Sequence, residues 1–294
     1  MFVALGTLAE ERGRDSAGVA LRGRGPGTGR SGWRVVTGRG GFSEVWRPGL
    51  LADLDAAPVA LGHTRWATQG TTLDPANASP LVVPGSAAAF AHGEPVPAAG
   101  VVATHNGDID AAALRERFAT PPATGTTDSE PVFQLLAGCR DTADVTAVLS
   151  AVVGRAALAW VDRDRPCEVH LARASLSPLT VAVDMEQNFY WGSNPRWFRD
   201  IERHTRVRFA TAVMLREGTY LRIGTGEPGA SGGLSRPRIL DRAAFVPTAR
   251  ASDFDDRVWT GFTPMDEARD RAGLFHNTLE APATGGDGEF ATCA

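Results

Sequence analysis

An α+β fold is predicted for this chain by the way its helical and strand patterns are grouped. Helical periodicities fall in blocks between runs of antiparallel-type strands, and strict β-α-β alternation is absent. That grouping is typical of domains built from stacked layers of helices and sheets. With 294 residues, of which 43% are hydrophobic, the chain can bury a full core in one large domain or two small ones.

The first part of the chain predicts a helix at its start and then mainly strands. Phe2, Leu5 and Leu8 lie at helical spacing, and the turn formers from Arg12 to Gly18 end that helix. Strands are expected at residues 19–21, 33–36, 59–61 and 101–105, and helices at 50–54 and 110–118. The glycine-rich stretch 23–32 has no Rossmann spacing and is interpreted as a flexible connection.

The second part predicts three further helices and a series of short strands. Thr127 and Glu130 have the spacing of a capping box, which would begin a helix near Asp128. Further helices are expected at residues 141–153 and 195–202. Strands are expected at residues 156–161, 169–173, 180–183, 189–192, 209–215 and 219–223, with a hairpin turn at 184–188.

Composition divides the chain near residue 224. From Thr225 onward, Gly, Pro, Ser, Asp and Arg dominate and apolar residues are sparse. Such a segment buries too little apolar surface to offset its ordering entropy. The predicted organisation is therefore a domain at 1–224 and a low-complexity, flexible C-terminal tail at 225–294.

Charge and residue usage exclude several function classes. The net charge is −4, and all 30 basic residues are Arg, so neither a Schiff-base lysine nor a P-loop lysine exists. No basic cluster is interleaved with aromatic residues, which argues against nucleic-acid binding. No apolar run is long enough to span a bilayer, and the start has no signal-peptide pattern. The interpretation is a cytoplasmic protein that contacts neither nucleic acid nor membrane.

The cysteine and histidine residues do not predict a metal site or a disulfide framework. Cys139, Cys167 and Cys293 form no Cys-x-x-Cys pair, and the six histidines lack helical ligand spacing. Cys139 follows an apolar helical run and is expected to be a buried small hydrophobe. No metal and no cofactor is expected.

Three short stretches together predict a pocket for a small zwitterion: residues 62–70, 105–107 and 127–130. Arg65 offers a planar fork of donors suited to gripping a carboxylate in two places. Asp128 supplies the opposite charge for an ammonium group. Asn106 and Gly107 offer a side-chain amide and a backbone N–H as donors to an oxyanion. An α-amino acid with a reactive side-chain carbonyl fits this set.

Each stretch also has a structural interpretation when it is taken alone. Asn106-Gly107 after an apolar run is a strong hairpin signal. Asp128 could simply complement the dipole of a helix that starts beside it. Arg65 and Trp66 could form a stacked pair on the surface. The order and spacing of all the stretches favour the functional interpretation.

Five motifs carry a resemblance to a known family. They are Arg12-Gly13-x-Asp15-Ser16-Ala17-Gly18, His63-Thr64-Arg65-Trp66-Ala67-Thr68-x-Gly70, Asn77-Ala78-x-Pro80, His105-Asn106-Gly107-x-Ile109 and Thr127-Asp128-Ser129-Glu130. In this order they resemble the glutaminase domain of class II glutamine amidotransferases, most of all that of the isomerising glucosamine-6-phosphate synthases. The likeness extends from the first residues to about Ile223. It implies an N-terminal-nucleophile hydrolase sandwich of four layers, with two antiparallel sheets between layers of helices.

The resemblance also implies an activity and a role for each site residue. The activity would be hydrolysis of L-glutamine to glutamate and ammonia, with the ammonia passed to an acceptor on a separate synthase or acceptor-domain chain. Arg65 would bind the substrate carboxylate and Asp128 its ammonium, while Trp66 and Thr68 would shape the pocket. Asn106 and Gly107 would stabilise the oxyanion, and Arg12 and His105 would support the site. For Arg12, a salt bridge or turn contact of purely structural value is an equal alternative.

The sequence departs from this family at its first residues and at two pocket positions. The family's nucleophile is an amino-terminal Cys that opens the first strand, whereas position two here is Phe2 and a helix follows. Two interpretations stand: the true start lies upstream and encodes Cys-Gly and an apolar strand, which is favoured, or the protein binds glutamine without hydrolysing it. An interaction domain that uses the sandwich as a scaffold is a third. Gln69 and Ser79 stand where His is usual, so substrate affinity or choice could differ.

Overall fold

The computed structural model describes residues 1–24, 31–66, 77–84, 100–225 and 236–249. Seven α-helices lie in these ranges, and most of them match the helices expected from periodicity. They are α1 (Phe2–Leu8), α2 (Phe42–Val45), α3 (Leu51–Ala56), α4 (Ala111–Arg117), α5 (Ser129–Gly138), α6 (Thr142–Ala151) and α7 (Pro195–His204). A turn of 3₁₀ helix at Ala9–Arg12 continues α1, so the predicted helix at the start of the chain is confirmed.

Twelve β-strands accompany these helices, all in antiparallel pairings within the described ranges. The strands are β1 (Ser16–Arg24), β2 (Ser31–Arg39), β3 (Ala60–Arg65), β4 (Leu81–Val83), β5 (Val101–Ile109), β6 (Gly154–Asp162), β7 (Glu168–Arg173), β8 (Thr180–Asp184), β9 (Phe189–Gly192), β10 (Phe209–Met214), β11 (Thr219–Gly224) and β12 (Arg238–Ala244). The mixture of helices and antiparallel strands confirms the predicted α+β class. The predicted hairpin turn also forms, because the Asp184 carboxylate accepts the backbone N–H groups of Glu186 and Asn188.

The strands form three sheets. Two of them have three strands each, in the orders β2-β1-β3 and β10-β8-β9, and the third has six, in the order β12-β11-β7-β6-β5-β4. In the six-stranded sheet, β5 pairs with β6 along its whole length, from Val101 opposite Asp162 to Ile109 opposite Gly154. The two small sheets end in β3 and β9, and each of these has one sheet neighbour among the described strands.

Three apolar clusters hold the sheets and helices together. The first joins one face of the six-stranded sheet to α5 and α6, with Phe133, Leu136 and Trp160 in it. The second joins the opposite face of that sheet to the two small sheets, through residues such as Ala159 and Leu61. The third lies between the outer face of β1 and the helices α1 and α2. Burial of apolar surface is the main stabilising term for such layers.

The predicted boundary at residue 224 is wrong. Strand β12 lies inside the segment assigned to a flexible tail, and it pairs with β11 from Thr219 opposite Ala244 to Gly224 opposite Arg238. Phe245, which follows β12, is buried in the first cluster. Backbone pairing to an existing sheet edge stabilises this strand, although none of its own side chains is fully buried. Residues 250–294 of the predicted tail lie outside the described ranges.

Candidate functional site

A cavity of about 100 Å³ brings together residues from several separated parts of the chain. We call it the Arg65 cavity. Seven of the eight predicted site residues line it in the structure: Arg12, Arg65, Trp66, His105, Asn106, Gly107 and Asp128. Thr68, the eighth, lies outside the described residues, as does Gln69.

Arg65 ends strand β3 and is buried, with 9% of its surface exposed. Burial lowers the pKa of its guanidinium, whereas the charges of Asp128 and Asp15 raise it. The surface Arg65–Trp66 pair considered above is therefore wrong, because only Trp66 is exposed, at 53%. A buried cation next to a carboxylate, in a cavity, is suited to a ligand that carries both charges.

Glycine explains why the chain can bring Arg65 to this position. A Cβ at Gly13 would lie 2.3 Å from the backbone nitrogen of Trp66, and one at Gly18 would lie 2.5 Å from the carbonyl oxygen of Ser79. Contacts this short exclude any side chain. The glycines of the first motif thus let β1 and its preceding turn touch the two stretches that carry Arg65 and Ser79.

Asp128 stands at the N-cap position of α5, but its side chain does not cap that helix. One carboxylate oxygen accepts the backbone N–H of Ile109 at 2.8 Å, which ties the start of α5 to the end of β5. The predicted capping box is wrong, because the carboxylate of Glu130 instead accepts the N–H groups of Thr124 and Gly125. The predicted position of Asp128 at a helix start is confirmed.

Asn106 and Gly107 lie inside strand β5, opposite Ala157 and Ala156 of β6. The hairpin interpretation of Asn-Gly is therefore wrong. Gly107 has φ of +147°, and a Cβ there would lie 2.0 Å from the carbonyl oxygen of Arg155. Glycine is needed because no other residue fits this close backbone approach. The Asn106 amide donates a hydrogen bond to the Ser193 hydroxyl at 3.3 Å.

His105 supports the site from behind. Its Nδ1 lies 2.8 Å from the hydroxyl of Ser129, and its Nε2 lies 3.3 Å from the carbonyl oxygen of Arg155. The Ser129 hydroxyl in turn points to Asp128 at 3.4 Å. These contacts link the strand that carries Asn106 to the helix start that carries Asp128, as a supporting role would require.

Asn77 fixes the two loops that close the cavity. Its side chain accepts the backbone N–H of Thr126 at 2.8 Å and donates to the Thr126 hydroxyl at 3.0 Å. Ser79 and Thr127 follow Asn77 and Thr126 closely in the chain, and both line the cavity. Each has a buried hydroxyl oxygen with no hydrogen-bond partner among the described residues. Such atoms are rare in proteins, so a polar ligand is the simplest partner for them.

A second, larger cavity of about 530 Å³ opens beside the first. It lies between the edge strands β3 and β9, with Ala157 and Ala159 of the six-stranded sheet on one side and Phe2 and Leu5 of α1 on the other. We call it the strand slot. Edge strands present backbone N–H and C=O groups that can pair with a further strand. Four residues line both cavities, so the slot opens into the Arg65 cavity: Arg12, His63, Thr64 and Asn106.

Comparisons of sequence connect this chain with one group of enzymes. Over 199 residues it is 34% identical to a glutamine–fructose-6-phosphate aminotransferase (isomerizing) of Streptomyces coelicolor, covering 61% of this chain and 27% of that protein. Over 229 residues it is 31% identical to the protein of the same name from Pyrobaculum aerophilum, covering 74% of this chain and 32% of that protein. The chain thus spans a third or less of these relatives. No protein-family model matches it.

Comparisons of structure give the fold. The chain is similar to glutamine phosphoribosylpyrophosphate amidotransferase from B. subtilis, with a TM-score of 0.53 and 20% identity over 80% of this chain and 45% of that one. It has the fold of a glutamine amidotransferase domain. The solved structure of the allosteric regulatory enzyme of purine biosynthesis is similar to the same extent, with a TM-score of 0.54 and 17% identity over 82% of this chain and 46% of that one.

Neither described cysteine of this amidotransferase fold lines the Arg65 cavity. Cys139 is buried in the first apolar cluster, where burial raises the pKa of its thiol to about 12. Cys167 receives a hydrogen bond from Arg22. Cys293 lies outside the described residues. Within the described ranges, no three His, Cys, Asp or Glu side chains are placed to hold a metal, and no helix is long and apolar enough to cross a membrane.

Proposed function

We propose that the Arg65 cavity binds L-glutamine and that the domain is a glutaminase of the amidotransferase type. The observation that carries this proposal is the meeting of Arg65, Asp128 and Asn106-Gly107 at one cavity, although they come from three distant stretches of the chain. Arg65 binds the α-carboxylate through two parallel hydrogen bonds. Asp128 binds the α-ammonium, and Trp66 forms the exposed rim. Thr68 completes the pocket in this proposal.

The reaction chemistry follows from the donors at the far end of the cavity. Attack on the side-chain amide of glutamine creates a negatively charged oxygen. Asn106 and the N–H of Gly107 stabilise that oxygen, and one such donor contributes about 3–4 kcal/mol in comparable sites. Arg12 adds positive potential nearby; burial lowers its pKa to about 10, so it stays charged at neutral pH. Hydrolysis yields glutamate and ammonia.

The strand slot supplies a place for the nucleophile. We propose that an extended segment lies in the slot, pairs with β3 and β9, and joins the two small sheets into one. Its end at Arg12, His63 and Asn106 would then enter the Arg65 cavity, which is where a terminal cysteine must lie to attack a bound amide. In this proposal, the added strand completes the four-layer sandwich that the resemblance implies.

A non-catalytic glutamine-binding module is the second candidate. It is favoured by the absence of any described cysteine at the Arg65 cavity. The 294-residue chain then binds glutamine and does not hydrolyse it. For an active domain, we propose that the ammonia passes to an acceptor on a separate synthase chain, since the relatives named above are aminotransferases of which this chain spans only a part.

Calorimetric titration of the 294-residue protein tests the binding proposal directly. L-Glutamine should bind, whereas D-glutamine and glutaramic acid, which lacks the α-ammonium, should bind at least tenfold more weakly. Equal affinity for all three ligands, or none for L-glutamine, would overturn the proposed function.

Glutaminase assays of two proteins then separate catalysis from binding. The 294-residue chain should release no ammonia. A protein extended before Met1 by a segment that begins Cys-Gly-Ile and continues as a short apolar strand should release ammonia, and its Cys→Ser variant should not. Binding without turnover in the extended protein would favour the non-catalytic module.

A further inference from the structure

His63 occupies the junction of the Arg65 cavity and the strand slot, and it lines both. It lies two residues before Arg65 on β3, so both side chains project from the same face of the strand. The Nδ1 atom of His63 is buried and has no hydrogen-bond partner among the described residues.

The protonation of the His63 ring follows from its contacts. A hydrogen bond to the backbone of His105 raises the pKa of His63, as expected when a ring N–H donates to a carbonyl oxygen. Because Nδ1 has no partner among the described residues, we assign the ring proton to Nε2. Burial is the larger effect and, with His105 and Arg65 nearby, lowers the pKa of His63 to about 4. The ring is therefore neutral at pH 7, and Nδ1 carries a lone pair.

A buried lone pair of this kind selects among ligands. A neutral imidazole nitrogen without a proton can only accept a hydrogen bond, so its partner must be a donor. L-Glutamine and L-glutamate differ in just this respect at neutral pH: the carboxamide of glutamine has an NH₂ group, whereas the carboxylate of glutamate has only acceptors. Asn106 and Gly107 line the same cavity and offer donors for the carbonyl oxygen.

We propose that His63 determines the preference of this site for a carboxamide, by accepting a hydrogen bond at Nδ1 from the side-chain NH₂ of L-glutamine. The proposal rests on the proposed function, because it assumes that the Arg65 cavity holds the amino acid. A carboxylate placed there would set a negative oxygen against the lone pair. The same repulsion would weaken the binding of glutamate formed by hydrolysis.

Ligand analogues test the proposal on the unmodified protein. L-Glutamine, L-glutamate and L-glutamate γ-methyl ester are titrated at pH 7.5; the ester is neutral like glutamine but has no side-chain N–H. Loss of one hydrogen bond should make the ester bind about tenfold more weakly than glutamine. An ester that binds as tightly as glutamine would overturn the proposal, whereas failure of all three ligands to bind would refute the proposed function itself.

Variants locate the effect on this residue. In His63→Phe, which keeps a ring but has no acceptor, the ratio of glutamine to ester affinity should fall to about one. His63→Asn gives a second, smaller replacement if the aromatic ring does not fit. His204→Phe is the matched control, since His204 is exposed at the end of α7, and its ratio should stay at the wild-type value. If the ratio stays at the wild-type value in both His63 variants, whether or not both affinities fall, the role of His63 is refuted.

Discussion

Replacing Arg65 with Lys separates a ligand-binding role from a structural one. The substitution keeps the positive charge but removes the planar fork that can hold both oxygens of a carboxylate. Arg65 is 9% exposed, so its contacts form away from bulk water. A hydrogen bond to a charged group in such a place contributes about 1.5–3 kcal/mol, which corresponds to roughly 10- to 150-fold in affinity.

Calorimetric titration with L-glutamine measures the loss, and thermal unfolding measures stability on the same samples. We expect the Kd of Arg65→Lys to rise at least tenfold. Arg34→Lys is the control, because Arg34 lies in an exposed ion pair with Asp53 on the surface, where such pairs contribute little. Its Kd and Tm should both stay close to wild type.

A different result would refute the assignment of Arg65 to the ligand. If Arg65 serves only to balance the charges of Asp128 and Asp15, the Lys variant should show a lower Tm and an unchanged Kd for glutamine. Asp128→Asn tests the site for the ammonium group of the ligand. It should weaken glutamine binding, because it removes the counter-charge of that ammonium. A normal Kd in both variants would mean that the zwitterion is not held here.

Three further predictions concern stability. Gly107→Ala should lower the unfolding free energy by more than about 2 kcal/mol in chemical denaturation, because the new Cβ would overlap the backbone oxygen of Arg155. The control Gly23→Ala should be neutral, because no atom lies within 4 Å of the Cβ position there, and equal effects of the two variants would contradict this prediction. Glu11→Ala should lower the unfolding free energy by about 1–3 kcal/mol, because the carboxylate of Glu11 accepts a hydrogen bond from the buried indole N–H of Trp197. Glu11→Gln, which keeps an acceptor oxygen, should recover part of the lost stability, and no loss in either variant would refute the importance of this contact. Burial lowers the pKa of His170 from 6.5 to about 3, so the unfolded state binds a proton at this residue more readily than the folded state. As the pH falls below 6.5, this group should therefore lower the free energy of unfolding by up to about 1.4 kcal/mol per pH unit. His170→Gln lacks that loss, so the stability difference between wild type and variant should narrow between pH 6.5 and 4.5, and a constant difference would contradict the assignment.

Periodicity predicted most helices and strands because they bury a regular apolar face. Strand β12 escaped prediction because its sequence, with Arg238, Asp241 and Arg242, has no such face. It is held by backbone pairing with β11, the strand before it in the chain, and such pairing leaves no periodic apolar pattern in the sequence. The Asn-Gly hairpin was wrong because a contact with the distant residue Arg155 overrode the local rule at Gly107. The capping box was wrong because the carboxylate of Glu130 bonds to the loop before the helix, at Thr124 and Gly125.

The site was predictable where chemistry requires a particular side chain. Arg65, Asp128 and Asn106 follow from the charges and donors that a zwitterionic amide requires, and the structure brings them to one cavity. His63 and Thr127 were missed because their role depends on a single buried atom that lacks a partner, and no sequence pattern reports the burial of one atom. The need for glycine at positions 13 and 18 was also not predictable, because it arises from close contacts with Trp66 and Ser79, which are distant in sequence.

If the strand slot holds the proposed segment and the Arg65 cavity holds glutamine, the wall that the two cavities share links the two binding events thermodynamically. Any segment that orders Arg12, His63, Thr64 and Asn106 from the slot side also prepares them for the amino acid, so part of the ordering cost is already met when glutamine arrives. Because linkage is reciprocal, bound glutamine must then raise the affinity of the slot for its strand by the same factor. The substrate would in that way help to complete the fold that binds it.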